Sequence, residues 1–599
     1  MSADAPLNGS LARILCAACL AGLLLVAGCA HTGTPRPGEP TARSTDADDE
    51  EGLPPFHPPT QGAQSRSDLP PQELTQSLLY EFLLAEVAGQ RGNAAVAAQT
   101  YADLARQTHD PRIARRATEF AIFARMNGLA IESAKIWHDA DTRSQRALQI
   151  LAGLLVNAGR LEEAEPHLRS LLASEGANAA NAFSQLARTL GNAQDKDAAL
   201  RVMQDLAEAY GQVPQAHYAI AQAASNAGQN DLALKEVRAA RGLKPDWDAA
   251  VLLESQLVQK ESGDRALAVL SEFLKKYPDS REVRLSYARL LVAEKRFGDA
   301  RAEFQKLLVD FPDNTDVVYA VALLSVQLND YPIAETNLRR LLDMDYRDKN
   351  GIRLYLGQLA EEQNKFDEAL KWYASVVSGE QFVSAQIRYA QVLAKQGQLD
   401  EARGHLQKLE SAGGAQRVQL ILAESQLLRD ANREKEAFDF VGKELAAQPE
   451  QPELLYDYAM LADRVDRVDL LESSLRKLIK IRPDYAHAYN ALGYSLADRN
   501  LRLNEARDLI EQALKLSPDD SFIIDSMGWV LYRMGNIPEA LAWLRKAFTE
   551  RPDPEIAAHL GEVLWVTGDR GEAEKVLSDA AQKSPKNEAL TKTMQRLKR

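Results

Sequence analysis

The chain has 599 residues, 45% of them hydrophobic and 26% charged, with 85 acidic side chains against 71 basic ones and a formal net charge of −14. A single compact core seldom grows beyond about 250 to 300 residues, so this length calls for several domains or one extended array. The negative charge argues against a nucleic-acid partner, whose phosphates attract basic surfaces, and the three cysteines, all within the first 29 residues, exclude a disulfide-stapled fold.

The first element is the apolar stretch Leu11 to Ala27, interrupted mainly by Arg13, which ends in Leu25-Val26-Ala27-Gly28-Cys29. It is too short for a transmembrane helix, which needs roughly 18 or more apolar residues. Small residues running into a cysteine resemble the lipobox of bacterial lipoprotein signal peptides. The resemblance implies that residues 1–28 are a signal peptide cleaved between Gly28 and Cys29, and that Cys29 becomes a lipidated N-terminus. It further implies, from Ala30 in place of Asp, that the protein is sorted to the outer membrane and faces the periplasm. Several acyl chains on one cysteine meet the two-signal requirement for stable anchoring. Cys16 and Cys19 have the spacing of a redox or zinc motif, but they lie in the segment to be removed. The mature chain would keep Cys29 alone, so stability has to come from packing.

Residues 29–70 follow, rich in Pro, Ser, Thr, Gly and acids, including Asp46-Ala47-Asp48-Asp49-Glu50-Glu51. Such a composition cannot bury enough apolar area to fold, so a disordered tether is expected. At about 40 residues it would reach roughly 35 Å, and further where proline and like charges extend it. The acidic run reads as a solvated segment.

From residue 71 to 585 a helical-face pattern repeats every 34 residues or so. Its anchors are Ala97, Ala134, Ala164, Ala199, Ala233, Ala266, Ala300, Ala334, Ala369, Ala402, Ala437, Leu471, Ala506, Ala540 and Ala573, spaced by 33 to 35 residues except for 37 and 30 around Ala134. Twelve residues before the anchor a small side chain such as Ala85, Ala152, Gly357, Gly528 or Gly561 allows two helices to cross closely. Four residues after it a bulky apolar side chain, from Tyr101 to Leu577, continues the same face. Pro245, Pro278, Pro312, Pro449, Pro483, Pro518, Pro552 and Pro585, each twelve residues beyond an anchor, stop the second helix. Each period is thus predicted to be a pair of helices, and the 586–599 segment, with Leu590, Met594 and Leu597 at helical spacing, a capping helix.

These features resemble the tetratricopeptide repeat. The last three periods carry it best: Tyr489-Asn490-Ala491-Leu492-Gly493 with Ala506, Ala513 and Pro518; Met527-Gly528-Trp529 with Ala540, Ala547 and Pro552; Leu560-Gly561 with Ala573, Ala580 and Pro585. The resemblance implies an all-α solenoid, a right-handed superhelix of about 15 helix-turn-helix repeats. It also implies that helix A lines the concave face. Counting along the repeats then places Asn490, Tyr494, Asp498, Asp525, Trp529, Tyr532, Arg533, Glu562 and Trp565 on or near a binding groove, and aromatic and Arg side chains are typical binding anchors.

No catalytic residue emerges. Ser474-Leu475-Arg476-Lys477 has the Ser-x-x-Lys spacing of penicillin-recognising enzymes, but it falls in a predicted second helix with no Lys-Thr-Gly element after it. The nine histidines are scattered without a His-x-x-x-His pair, so no metal site is expected. No cofactor is expected beyond the lipid on Cys29. The chain reads as a non-enzymatic adaptor for periplasmic or envelope proteins. Its lipobox, tether, size and long array resemble lipoprotein adaptors that bind a periplasmic carboxy-terminal processing protease and bring it together with cell-wall hydrolase substrates. The alternative is a structural scaffold of an envelope assembly or secretion complex, such as exopolysaccharide export, pilus assembly or outer-membrane protein assembly.

Overall fold

The computed structural model describes residue 70 and residues 72–174, 176–409 and 414–597. The expected signal peptide, Cys29 and all of the expected tether but residue 70 lie outside them. The described residues hold 31 α-helices and no strand. None of these helices is long and apolar enough to cross a membrane. Contacts divide the described residues into two units, 70–324 and 325–597.

The first thirty helices, Gln76–Gln90 to Arg570–Lys583, alternate as the first and second arms of fifteen hairpins. In most hairpins the turn is set by one residue with positive φ five positions before the anchor, such as Gly159 (φ 73), Asn364 (φ 58) or Gly535 (φ 85). Glycine and asparagine reach this left-handed region at little steric cost, so the turn closes after three residues and the second helix folds back on the first. The anchors are buried at every repeat. At the other end, the eight prolines act as expected: each second helix stops two residues before its proline. The residue between leaves the helical region, as in Lys244 (φ −135, ψ 84) and Ser517 (φ −142, ψ 79), because proline Cδ disfavours that region for its predecessor.

The second hairpin corrects the sequence register. Its left-handed turn residue is Arg125 (φ 56), and five positions on stands Ala130, fully buried. The Ala130 N–H donates to the Met126 carbonyl, as Ala97 does to Asn93 and Ala164 to Arg160. Ala130 is therefore the anchor, and Ala134 lies one turn further along the same buried face. Thr118, twelve residues earlier and fully buried, supplies the small side chain. The irregular spacing around Ala134 disappears with this shift.

At two other anchors, Ala266 and Ala506, the small side chain is displaced by one residue from the twelve-residue spacing. Before Ala266 the near residue is Ser255 rather than Glu254, and its hydroxyl donates to the Ala266 carbonyl at 3.5 Å. Before Ala506 it is Gly493 rather than Tyr494, with Arg502 at φ 44 taking up the inserted residue. Ion pairs to a buried carboxylate accompany one of these changes: Glu254 receives Arg238 at 2.9 Å and also pairs with Arg241.

The two ends of the array differ. At the C-terminal end, helix Glu588–Leu597 packs Leu590, Met594 and Leu597 against Ala558 and Leu577. At the N-terminal end, helix Gln76–Gln90 has no predecessor among the described residues. Leu79, Leu83 and Val87, with Tyr80 and Leu84 beside them, form one exposed stripe. In later hairpins the preceding second helix packs on the next first helix, which accounts for the missing cover.

Candidate functional site

The site begins with three glycines. A Cβ at Gly493 would lie 2.6 Å from Ile510 and 2.9 Å from the Ala506 carbonyl; at Gly528, 2.6 Å from Leu544; at Gly561, 2.5 Å from Leu577. These close crossings fix the phase of helices Ala486–Asp498, Ser521–Arg533 and Pro554–Thr567. The residues following the glycines, Tyr494, Trp529 and Glu562, consequently occupy equivalent places on the three helices.

One histidine joins them. His559 Nδ1 lies 2.8 Å from Asp525 Oδ2, and its Nε2 lies 3.2 Å from the Tyr494 hydroxyl. The imidazole stacks on the Trp529 indole, with ring centroids 4.3 Å apart and planes at 24°. Trp529 in turn meets Tyr532, at 5.2 Å between centroids, and carries the Arg533 guanidinium 5.8 Å from its ring. Glu562 pairs with Arg596 of the capping helix. Trp565 stands apart under Arg570.

Burial opposes a charged imidazole, yet the Asp525 carboxylate, with Glu555 and Asp498 behind it, outweighs burial and holds the His559 pKa above its usual value. Burial and the same acids, together with Asp463, push the Tyr494 phenol well up, so it stays protonated. Burial also raises the Glu562 carboxyl against the pull of Arg596, His559 and Arg533.

Relatives place this architecture. Sequence profiles of the tetratricopeptide repeat match residues 257–324, 319–382, 383–408 and 526–588. The TPR repeat-containing protein PA4667 of Pseudomonas aeruginosa is 34% identical over 509 residues, covering 84% of this chain and 86% of that protein. The chain belongs to the tetratricopeptide repeat family. Solved structures with similarity include the Cut9–Hcn1 hetero-tetramer of APC/C, at 17% identity over 82% of this chain and 97% of that one, with a TM-score of 0.28. A tetratricopeptide repeat protein of Parabacteroides merdae matches at 15% identity over 48% of this chain and 99% of its own, with a TM-score of 0.31.

Within these tetratricopeptide repeats the nine groove candidates divide by accessibility. Asn490, Asp525, Trp529 and Glu562 are 1%, 5%, 3% and 7% exposed. They form the interior of the stack, so Trp529 packs between repeats and is not an open anchor. Asp498 is exposed, and Tyr494, Tyr532, Arg533 and Trp565 are partly so. The structure brings Tyr494, Asp525, Trp529, Tyr532 and Arg533 into one cluster, and it leaves Trp565 and Asp498 outside direct contact with it.

His559 was not singled out by sequence reasoning. Its signal was present in the period: it lies two residues before Gly561 and 34 after Asp525, and residues one repeat apart fall side by side in such arrays. No group of three or more metal-binding side chains occurs among the described residues. The cluster joins a phenol, an imidazole and a carboxylate in one hydrogen-bonded chain among aromatic faces.

Proposed function

We propose that this chain is a non-enzymatic adaptor, anchored to the outer membrane by lipid on Cys29, that brings a periplasmic carboxy-terminal processing protease together with cell-wall hydrolase substrates. The tetratricopeptide architecture, with helical hairpins from Gln76 to Lys583, supports a protein-binding role. The observation that carries the reading is the uncovered stripe of Leu79, Tyr80, Leu83, Leu84 and Val87 on the first helix. A contiguous apolar patch of this kind marks an interaction surface. An enzyme held at one end of the array and a substrate held along it would meet at a raised effective concentration.

The reading is tested by Leu79→Glu with Leu83→Glu. Both side chains face solvent, so helicity and thermal unfolding should match wild type. Binding to the purified protease should weaken by at least about tenfold, as expected for the loss of central apolar contacts. Unchanged binding would remove the first helix from the interface.

A further inference from the structure

We propose that His559 is a proton-controlled latch that ties the last three repeats together in acid and releases them toward alkaline pH. The geometry carries this. Tyr494, Asp525 and His559 belong to three successive hairpins, and His559 touches both of the others by hydrogen bond while lying flat on Trp529. Its side chain is 14% exposed and that of Asp525 is 7% exposed, so water screens the pair poorly.

Protonation changes the balance of charge and leaves the hydrogen bonds in place. The imidazolium donates from Nδ1 to Asp525 and from Nε2 to the Tyr494 oxygen. The neutral ring keeps its Nδ1–H on Asp525 and accepts from the Tyr494 hydroxyl at Nε2. What the neutral ring loses is the counter-charge. Asp525 then lies unpaired beside Asp553, and the acids that face the ring, Asp498 of helix Ala486–Asp498 and Glu555 and Glu562 of helix Pro554–Thr567, lose their counter-charge as well. The remaining cations nearby are Arg533, which lies over Trp529, and Arg596, which pairs with Glu562. A carboxylate left buried without its partner is costly, and the repeats relax to hydrate it.

The sign follows from the raised pKa. A group whose folded pKa exceeds its unfolded value contributes its full stability below the unfolded value, near 6.5 for histidine, and loses it as pH rises through the folded value. Acid therefore tightens the last three repeats. Since the same helices carry Asp498, Tyr532 and Trp565, proton binding sets how firmly that face is held.

The test is amide hydrogen exchange of the full chain at pH 5.5 and 8.5 (about three units apart, spanning the histidine range), corrected for the intrinsic pH dependence of exchange. Helix Gln145–Asn157 serves as an internal reference. In wild type, helices Ala486–Asp498, Ser521–Arg533 and Pro554–Thr567 should lose at least about threefold in protection at the higher pH, and in His559→Gln the difference should vanish. Equal protection at both pH values in wild type, or a full response in His559→Gln, would overturn the proposal. Asp525→Asn provides a second arm, because it keeps an acceptor and removes the charge. With no buried carboxylate to be left unpaired, the loss of protection at the higher pH should vanish, and a full response would also overturn the proposal.

Discussion

Gly528→Val should loosen the fourteenth hairpin by roughly 2 to 3 kcal/mol, the upper part of the range for overpacking a close-fitting site. A Cβ at this position would lie 2.6 Å from Leu544 Cγ and 3.1 Å from the Ala540 carbonyl oxygen. Leu544 could rotate, but the carbonyl belongs to the helix backbone and cannot yield without moving helix Ile537–Glu550. A β-branched side chain adds two methyls where one atom already collides. Hydrogen exchange read on helices Ser521–Arg533 and Ile537–Glu550 should accelerate between about thirtyfold and 140-fold. Gly153 is the control. It lies within helix Gln145–Asn157 and a Cβ there meets nothing within 4 Å, so Gly153→Ala should stabilise by about 0.5 to 1 kcal/mol through helix propensity. If Gly528→Val leaves protection unchanged, the close crossing does not hold the hairpin.

Cys29→Ser should move essentially the whole population out of the outer-membrane fraction and abolish incorporation of labelled palmitate. Stable membrane association needs two lipid or charge signals. The chain's net charge of −14 supplies no attraction to anionic lipid, and no described helix can span a bilayer. The lipid on Cys29 is thus the anchor that the proposed function requires. Fractionation and palmitate labelling of both proteins measure it. Retention in the outer membrane with label still present would refute the lipidation of Cys29 and leave the tetratricopeptide array intact.

The period in the sequence was enough to find every hairpin, because alanines at the crossings and prolines at the helix ends obey steric rules that hold whatever the neighbours are. Where the register failed, the cause was local. Ala130 and Ala134 are both small and both buried, and the residue that decides between them, Arg125 at φ 56, is not a glycine or asparagine that advertises a left-handed turn. The site was less legible. Helix phase put Asp525 and Trp529 toward a groove, but it could not tell that they and Tyr494 would close over one another around His559 inside the stack. Burial is a property of the stacked repeats and not of any one helix. The exposed stripe on helix Gln76–Gln90 was hidden for the same reason: apolar residues there look like core until their exposure in the folded array is seen.

The adaptor reading is tested most directly by affinity purification of the full chain from crosslinked envelopes, with the Leu79→Glu, Leu83→Glu variant alongside. The wild-type protein should recover a carboxy-terminal processing protease together with cell-wall hydrolases, and the variant should lose the protease. Recovery of synthase, porin or pilus-assembly components with no protease would contradict the account and place the array in an envelope assembly complex.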